Sequence, residues 1–430
     1  MGRRFYIETL GCPKNQVDSD KLTGTLLADG YSATDDAADA DLVVVNTCAF
    51  VENARRESID TILALTEQRK DGARVVVTGC MAERYGDELA EALPEVDQVA
   101  GFGVPVAPPS GRKLIPVATA PLPSFDLLNL PRPKSMRPWA YVKIAEGCDR
   151  SCGFCAIPSF RGPQRSRSIE QILGEVDELA AQEIVLVAQD LAAYGRDVTD
   201  GTGRRGQPIV DLVRAVSERV PWTRLLYLYP SDLTDELIDT ILATDVPYFD
   251  LSLQHVSKPL LRRMRRWGDG DRFLRRIIDI RERAAHAAFR SNFIVGYPGE
   301  TEADHDQLLA FVEDAELDWC GFFAYSAEDG TPAAQLDGQV DPALMHERLA
   351  ELRELQDEIT ARRRDALIGT TQRALVDEPG VARTTREAPE IDGVVEVPDD
   401  LAVGTFVDVE IVDALGPDLV AVPALVAGSA

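Results

Sequence analysis

The sequence lacks the features of several protein classes. No apolar run approaches the roughly 18 residues that a membrane-spanning helix needs, and residues 1–8 contain no apolar core of a secretory signal peptide. We therefore expect a cytoplasmic protein that is not in a membrane. Cysteine is scarce and odd in number, with seven residues among 430, so no disulfide framework is expected. Histidine is scarcer still, at four residues, which leaves few nitrogen ligands for a metal.

Basic residues are also few compared with acidic ones. The chain has 45 Lys and Arg against 72 Asp and Glu, a formal net charge of −27. Such a surface is repelled by phosphate backbones and attracted to basic partners. The length otherwise allows two or three domains, and the 45% hydrophobic content allows an ample core.

Six of the seven cysteines form two groups of three. The tight trio is Cys148, Cys152 and Cys155, and the dispersed trio is Cys12, Cys48 and Cys80. Three thiolates can bind three irons of a cubane iron–sulfur cluster and leave the fourth iron open to another ligand. We therefore expect all six to be metal ligands, whereas Cys320 lies in an apolar run and is expected to be an ordinary core thiol.

Two other classes of function remain open for these cysteines. A structural zinc ion is bound by four protein ligands. Each trio supplies three, so the fourth ligand would have to come from elsewhere in a chain that has only four histidines. The dispersed trio could also consist of buried small hydrophobes. The chain could thus be a zinc-stapled interaction protein or a non-catalytic iron–sulfur carrier, and iron and sulfide content would separate these from an enzyme.

The pattern of the first hundred residues predicts a parallel α/β domain over residues 1–103. Short β-branched runs at 4–10, 41–46 and 74–78 are each followed by a helical stretch. The dispersed cysteines come just after these three runs. Since the carboxyl ends of parallel strands share one edge of the sheet, we expect the three cysteines to converge there.

The remaining chain predicts a linker and two further domains. Residues 104–138 contain nine prolines and predict an extended connector. Residues 139–369 alternate strands and helices and predict a partial barrel of six βα units that ends in a charged helix over 342–367. Residues 370–430 predict a small antiparallel β-barrel that carries 12 acidic and 3 basic side chains, a net charge of −9.

The Cys-x3-Cys-x2-Cys spacing, with Phe154 just before the last cysteine, resembles the radical S-adenosylmethionine (SAM) superfamily. The resemblance implies that an electron from the cluster cleaves SAM to a 5′-deoxyadenosyl radical. It also implies a set of SAM contacts: Phe154 against the adenine, and the adenosine-binding segment with Ile294, Gly296, Gly299 and Glu300. Gln189 follows the second barrel strand at the carboxyl edge where ligands bind, so we expect it to contact the cofactor as well. Asn292 departs from that segment's pattern, which usually has glycine there.

Basic side chains near this motif have two interpretations. Arg161, Arg165 and Arg167 are either a solvated face or an anion clamp, in which Arg167 would bind the carboxylate of SAM or the substrate. The cluster at 262–266 is expected to be an exposed helix face, and His255 is expected to be a pocket-wall residue. The sequence names no catalytic residue beyond the clusters.

The three predicted domains together resemble the methylthiotransferases over essentially the whole chain. This resemblance implies two [4Fe–4S] clusters, SAM and an electron donor such as flavodoxin or ferredoxin, and a small β-barrel of the TRAM type. Residues 10–19, 187–195 and 325–332 are similar to the branch that modifies the β-carbon of an aspartate in the twelfth protein of the small ribosomal subunit. The alternative branch modifies an adenosine of tRNA and usually has Gln-Met in place of Pro13-Lys14. An acidic terminal barrel would repel tRNA and attract a basic ribosomal protein, so we expect the protein substrate.

Overall fold

The computed structural model describes residues 2–107, 126–198 and 207–424, and the chain divides into two compact units. The first unit comprises Met1–Lys134, Ala145–Arg150 and Cys155–Glu175, and the second comprises Ser135–Ile144, Ser151–Phe154 and Val176–Ala430. Residues 108–125 of the predicted linker lie outside the described residues. Within the described ranges, no helix is both long and apolar enough to cross a membrane.

A five-stranded parallel sheet forms the centre of the first unit. Its elements in chain order are β1 (Arg4–Thr9), α1 (Pro13–Ala28), β2 (Ser32–Ala33), β3 (Leu42–Thr47), α2 (Glu52–Gln68), β4 (Arg74–Gly79), α3 (Cys80–Ala92) and β5 (Gln98–Val99). The strand order is β2-β1-β3-β4-β5, and every neighbouring pair is parallel. All six residues of β3 are buried, as expected for a β-branched central strand that is covered on both faces. The predicted parallel α/β fold is confirmed.

The described end of the predicted linker packs within the first unit. Leu127 and Leu128 are buried, and Leu127 joins a core cluster with residues of β1, α1 and β3. The buried ammonium of Lys21 donates to the Leu128 carbonyl oxygen at 2.7 Å. Over these residues the chain is therefore a packed segment and not a free connector.

The next elements alternate between the units. The strand β6 (Trp139–Lys143) belongs to the second unit. In the first unit, β7 (Ala145–Glu146) pairs antiparallel with β8 (Arg165–Ser166), and α4 (Ile157–Arg161) lies between them in sequence. The helix α5 (Ile169–Leu179) follows.

Six strands of the second unit form the predicted partial barrel. Its further elements are β9 (Glu183–Val187), α6 (Gln207–Ser217), β10 (Trp222–Leu225), α7 (Asp235–Leu242), β11 (Tyr248–Gln254), α8 (Lys258–Arg263), α9 (Gly270–Arg283), β12 (Ala288–Val295), α10 (Glu302–Ala315), β13 (Trp319–Ala324) and α11 (Pro342–Asp365). Two parallel sheets, β10-β9-β6 and β11-β12-β13, are joined by one bridge between Leu228 and Leu251. The strand predicted at 224–229 ends at Leu225 because Tyr227 adopts a positive φ of 66°, which breaks the ladder.

The last residues form a closed five-stranded barrel. Its strands are β14 (Thr371–Glu378), β15 (Val381–Arg383), β16 (Val395–Glu396), β17 (Phe406–Leu415) and β18 (Asp418–Pro423), in the order β14-β15-β16-β18-β17. The predicted small antiparallel barrel is confirmed in four of its five strand pairs, and the fifth pair, β16 and β18, runs parallel. A closed ring with an odd number of strands cannot alternate direction throughout, so one parallel pair is unavoidable.

The segment 384–392, between β15 and β16, packs against the amino ends of the partial-barrel strands; we call it the base segment. Its carbonyls accept hydrogen bonds from side chains of three strands: Tyr141 to Pro389 at 2.7 Å, Arg224 to Thr385 at 3.0 Å and Trp319 to Arg386 at 2.8 Å. Tyr248 also donates to Asp392 at 2.6 Å. The base segment therefore closes the amino end of the partial barrel, opposite the edge where ligands bind in such folds.

Candidate metal and cofactor site

The dispersed cysteines occupy equivalent positions in the first unit. Cys12 is the N-cap of α1, Cys48 directly follows β3, and Cys80 is the first residue of α3 directly after β4. The pKa of Cys48 is raised to about 12, mainly by burial and to a smaller extent by the neighbouring Cys12 and Cys80 thiols. Gly11, next to Cys12, adjoins Cys48, and Asn15, three residues after Cys12, lies 3.6 Å from the Cys80 Sγ through its Oδ1. The strand ends therefore bring the three cysteines to one place, as the sequence predicts.

Two glycines make this convergence possible. Gly11 has a φ of +98°, and a Cβ built on it would lie 2.9 Å from the Cβ and 3.0 Å from the Sγ of Cys48. Gly79 has a φ of +90°, and its Cβ would lie 2.3 Å from the Asn46 Oδ1. Any larger residue would be strained and would clash at either position. Gly11 and Gly79 are thus needed for the packing around the thiols.

Asn15 and Arg161 complete this cluster. The Asn15 side-chain amide donates to the carbonyl oxygens of Leu10 at 2.8 Å and Thr47 at 3.1 Å, so it ties the ends of β1 and β3 together. Its Oδ1 accepts from Arg161 Nη2 at 2.9 Å. The same nitrogen of Arg161 donates to the Cys80 Sγ at 3.0 Å. Sequence reasoning missed Asn15, although its position three residues after Cys12 in a helix start was a signal.

The environment of Arg161 excludes one of the two interpretations of Arg161, Arg165 and Arg167, namely that all three form a solvated face. Arg161 is buried, and its Nη1 contacts Glu146 Oε1 at 2.8 Å and Asp18 Oδ2 at 3.2 Å. Burial lowers its pKa, but Cys80, Glu146 and Asp18 raise it well above the usual arginine value overall. Only Arg165 of the three arginines is exposed, so a solvated basic face is wrong for Arg161 and Arg167.

The electrostatics of the dispersed trio suit a soft metal cluster. Burial raises the pKa of Cys80 above its usual value, whereas Lys14 and Arg161 outweigh burial at Cys12 and lower the pKa of that thiol. A thiol whose pKa is raised by burial needs a bound cation to become a thiolate. Three thiols without a carboxylate among them match the ligands of iron–sulfur clusters. In the described ranges, no three Cys, His, Asp or Glu side chains are already arranged as a group that could hold a metal ion.

The tight trio lies on a chain segment without regular structure, which begins in the first unit. The Cys148 N–H donates to the Gly162 carbonyl at 3.1 Å, and Gly147 has a φ of +80° with no room for a Cβ, which would lie 2.2 Å from the Pro163 carbonyl oxygen. Cys155 immediately precedes the turn into α4. Backbone hydrogen bonds thus fix the position of Cys148.

The middle of this segment is fixed within the second unit. The Gly153 N–H donates to the Met264 carbonyl at 2.8 Å, and the Gly153 carbonyl accepts from the Ala333 N–H at 2.9 Å. A Cβ on Gly153 would lie 2.7 Å from the Tyr297 hydroxyl. Phe154 is half-buried and adjoins this contact, so the structure brings it near the glycine-rich segment that contains Tyr297.

The glycine-rich segment is held in shape by Glu300. One carboxylate oxygen of Glu300 accepts from the Gly296 N–H at 2.7 Å, and the other accepts from Arg348 Nη1 at 2.8 Å. Burial raises the pKa of this carboxyl, against the effects of Gly296 and Arg348. Gly296 and Gly299 have φ values of +81° and +87°, which glycine adopts without strain. Glu300 therefore shapes the turn through the backbone, and both its oxygens already have partners.

Asn292 and Ile294 lie on one face of β12. The departure at Asn292 is compatible with the fold because its partner across the sheet is Gly321, whose Cβ would lie 2.5 Å from the Asn292 Oδ1. That oxygen is buried and has no hydrogen-bond partner among the described residues. Gln189, predicted as a cofactor contact, is half-buried two residues beyond the end of β9.

Arg266 contacts the tight trio and was also missed. Its Nη1 donates to the Cys152 Sγ at 3.3 Å, its Nη2 donates to the Ser252 carbonyl, and its guanidinium lies 4.2 Å from the centre of the Tyr229 ring. The prediction of an exposed helix face fits Arg262, Arg263 and Arg265 but is wrong for Arg266. The signal was its place just past the end of α8, where the chain turns back.

Two other side chains that the sequence analysis singled out, Arg167 and His255, are buried and hydrogen-bonded or ion-paired within the protein. Arg167 is buried and pairs with Glu175 at 2.6 Å, so an anion clamp at Arg167 would have to open that ion pair. His255 is fully buried, its Nδ1 accepts from the Ser257 N–H at 3.0 Å, and burial lowers its pKa to about 4. His255 is therefore a neutral core residue at neutral pH.

Comparison with known protein families matches three regions of the chain. Residues 4–101 match the uncharacterized protein family UPF0004, residues 142–312 match the radical SAM superfamily, and residues 368–423 match the TRAM domain. These matches agree with the architecture: a parallel α/β domain, a partial barrel and a small closed barrel.

Curated relatives are similar over nearly the whole chain. Proteins named ribosomal protein uS12 methylthiotransferase RimO include one from Cutibacterium acnes, 43% identical over 97% of this chain and 98% of the relative. Another from Thermotoga maritima is 42% identical over 95% of this chain and 97% of the relative. Among solved structures, the cobalamin-dependent SAM radical enzyme OxsB has a TM-score of 0.47 at 14% identity, covering 83% of this chain and 56% of that chain. The chain belongs to the uS12 methylthiotransferase family of radical SAM enzymes, whose chemistry depends on iron–sulfur clusters and SAM.

Proposed function

We propose that this enzyme replaces a hydrogen on the β-carbon of an aspartate in ribosomal protein uS12 by a methylthio group, and that it uses two [4Fe–4S] clusters. Cys148, Cys152 and Cys155 would bind the cluster that cleaves SAM. The dispersed trio would bind an auxiliary cluster that takes part in the sulfur transfer. The domain limits that go with this proposal are 1–103, 139–369 and 370–430, with 104–138 between the first two.

The observation that carries the proposal is the convergence of Cys12, Cys48 and Cys80. Three sulfurs from three strand ends match the ligand set of a second cluster, beyond the one that the tight trio would bind. If the three cysteines were only hydrophobic core residues, a buried guanidinium would not be expected to donate to the Cys80 sulfur. Burying a charge is costly without a charged or polar partner.

The clusters and SAM, when bound, would supply one-electron chemistry and the methyl group. The chain's own residues bind, orient and exclude water. Gly153 fixes the backbone beside Phe154, and Glu300 fixes the turn at Gly296 and Gly299. Phe154, Gln189, Ile294 and this turn would line the SAM site, and Arg266 would offer a cation beside Cys152.

Closure of the barrel would protect this chemistry from water. The base segment seals the amino end of the partial barrel through buried hydrogen bonds, and Glu183 pairs with both Arg224 and Arg383 at 2.7 Å in surroundings without solvent access. This end of the partial barrel is then closed to water among the described residues, and substrate would bind at the opposite, carboxyl edge. Excluding water protects reactive species and strengthens electrostatic interactions inside the site.

The surface of the terminal barrel favours a basic protein substrate. Exposed acidic residues outnumber exposed basic ones there: Glu378, Glu390, Glu396, Asp399, Asp400, Asp408, Glu410 and Asp413 stand against Arg373 alone. Arg383 and Arg386 turn inward to Glu183, Asp377 and Asp318. Such a surface would attract a basic ribosomal protein and repel tRNA. An electron donor such as flavodoxin or ferredoxin would supply reducing equivalents.

The test is reconstitution with both candidate substrates. The enzyme, loaded with iron and sulfide under anaerobic conditions, would be incubated with SAM, a reductant and either uS12 or unmodified tRNA. We expect mass spectrometry to show uS12 gaining one CH2S unit on an aspartate and tRNA remaining unchanged. Methylthiolated adenosine in the tRNA, with unmodified uS12, would reverse the choice of substrate.

A further inference from the structure

Arg161 contacts the dispersed trio from a position just after the tight trio in sequence. It is the last residue of α4, which begins two residues after Cys155. The neighbouring Phe160 packs against the core cluster that contains Cys80 and Met81. The helix is therefore anchored in the core of the first unit, and its final side chain is directed to the sulfur of Cys80.

Both terminal nitrogens of the Arg161 guanidinium, Nη1 and Nη2, donate hydrogen bonds. Nη2 is shared by the Cys80 Sγ at 3.0 Å and the Asn15 Oδ1 at 2.9 Å, and Nη1 is shared by Glu146 and Asp18. The aromatic ring of Phe102 lies 4.2 Å from the guanidinium carbon. These contacts fix the orientation of the guanidinium, so Nη2 is held in position to donate to the Cys80 sulfur.

A charged donor on a ligand sulfur has a defined effect on an iron–sulfur cluster. Reduction adds one negative charge, and hydrogen bonds and nearby positive charge stabilise that charge, which raises the reduction potential. Glu146 and Asp18 oppose this effect in part because they carry negative charge at a greater distance from the sulfur. The balance of the three groups would set the potential.

We propose that Arg161 is a positioning residue that sets the reduction potential of the auxiliary cluster through its hydrogen bond to the Cys80 sulfur. This inference rests on the proposed second cluster. If Arg161 has this role, the reduction potential of the auxiliary cluster depends on a residue that follows Cys155 by six positions. Cys155, Arg161 and the dispersed trio all belong to the first unit.

The experiment measures the potential of the auxiliary cluster alone. In the full chain, Cys148, Cys152 and Cys155 are all changed to alanine, the protein is reconstituted with iron and sulfide, and the cluster is titrated with a chemical reductant and followed by electron paramagnetic resonance. Arg161→Met, Arg161→Lys and Asp18→Asn are added to this background. Arg165→Met is the matched control because Arg165 is exposed on the same segment and its guanidinium pairs with Asp126 at 3.4 Å, away from the cysteines.

We expect Arg161→Met to lower the potential so that the ratio of reduced to oxidised cluster falls about tenfold at the parent's midpoint, ~59 mV for one electron. Asp18→Asn should shift the potential upward, Arg161→Lys should fall between Arg161→Met and the parent, and Arg165→Met should not shift it. An unchanged potential in Arg161→Met with its iron intact would overturn the inference. If Arg161→Met fails to bind iron, the Asp18→Asn variant is the test instead. An unchanged potential of the auxiliary cluster in Asp18→Asn would then overturn the inference. Absence of iron from the parent background would instead refute the second cluster and with it this part of the proposed function.

Discussion

The two cysteine trios are held by different kinds of structure. The dispersed trio is placed by strand ends and helix starts, so its geometry comes from the packing of a whole α/β domain. The tight trio lies on a segment fixed by backbone hydrogen bonds at Cys148 and Gly153. Each trio nevertheless has an arginine that donates to one sulfur, Arg161 at Cys80 and Arg266 at Cys152. The difference indicates that the dispersed trio depends on the fold and the tight trio on local backbone contacts.

The largest expected effect is the loss of the tight trio. Cys152→Ala should abolish reductive cleavage of SAM and with it product formation, because the cluster that delivers the electron would lose a ligand. The yield of 5′-deoxyadenosine under anaerobic reducing conditions measures this. Cys320→Ala is the matched control and should cleave SAM normally. Cleavage at the parent rate in Cys152→Ala would remove the tight trio from the mechanism.

Loss of the dispersed trio should separate two activities. Cys48→Ala is expected to keep SAM cleavage and lose methylthiolated uS12, because only the auxiliary cluster would be disturbed. Both products are measured in one reaction, 5′-deoxyadenosine by chromatography and uS12 by mass spectrometry. If Cys48→Ala still produces methylthiolated uS12, the two trios do not have the distinct roles proposed.

The arginine at the tight trio should matter less than its cysteines. Arg266→Met removes a side chain that contacts a ligand sulfur without being a ligand, and such changes typically cost about 10- to 100-fold in metal affinity or activity. We expect a fall of that size in SAM cleavage with an altered resonance spectrum of this cluster. Arg262→Met, on the exposed side of the same region, is the control. An unaltered spectrum and rate in Arg266→Met would show that the contact has no function.

Packing around the dispersed trio can be tested with two glycines. Gly11→Ala should reduce iron loading of the auxiliary site and destabilise the first unit by about 1–3 kcal/mol, because it combines a positive φ with a clash against Cys48. Gly72→Ala has a similar φ of +77° and no atom within 4 Å of the new Cβ, so it controls for backbone strain. Thermal unfolding and iron analysis measure both. Equal effects of the two substitutions would show that the contact with Cys48 is not important.

The smallest effect is a difference in thiol reactivity in the metal-free protein. Lys14 and Arg161 lower the pKa of Cys12, whereas burial raises the pKa of Cys48 to about 12. Since the thiolate is the nucleophile, Cys12 should be alkylated at least about tenfold faster than Cys48 at pH 8. The rate at Cys48 should continue to rise up to about pH 12. Equal rates in the folded protein would contradict the difference in environment between the two thiols, and denaturation should remove the difference in rate.

Much of the architecture follows from local patterns in the sequence. The β-branched runs predicted the parallel strands, and their ends predicted where Cys12, Cys48 and Cys80 meet. The single parallel pair in the terminal barrel was missed because direction depends on closure of the ring, which no local pattern encodes. The interruption at Tyr227 was missed because a positive φ outside glycine leaves no signal in the residue type.

The side chains that complete the site were harder to predict. Arg161, Arg167 and Arg266 belong to basic runs that are equally typical of solvated faces, and their burial depends on acids and sulfurs from distant parts of the chain. Asp18 and Glu146 are 128 residues apart in sequence and meet at one guanidinium. Three-dimensional contacts of this kind require the fold, whereas cysteine spacing does not.

The number of irons per chain tests the central claim most directly. Anaerobically reconstituted protein should contain about eight irons and eight acid-labile sulfides per chain, and about four of each after alanine replaces either complete trio. Full-length, folded protein that binds zinc instead, or that contains about four irons before and after replacement of the dispersed trio, would contradict the account.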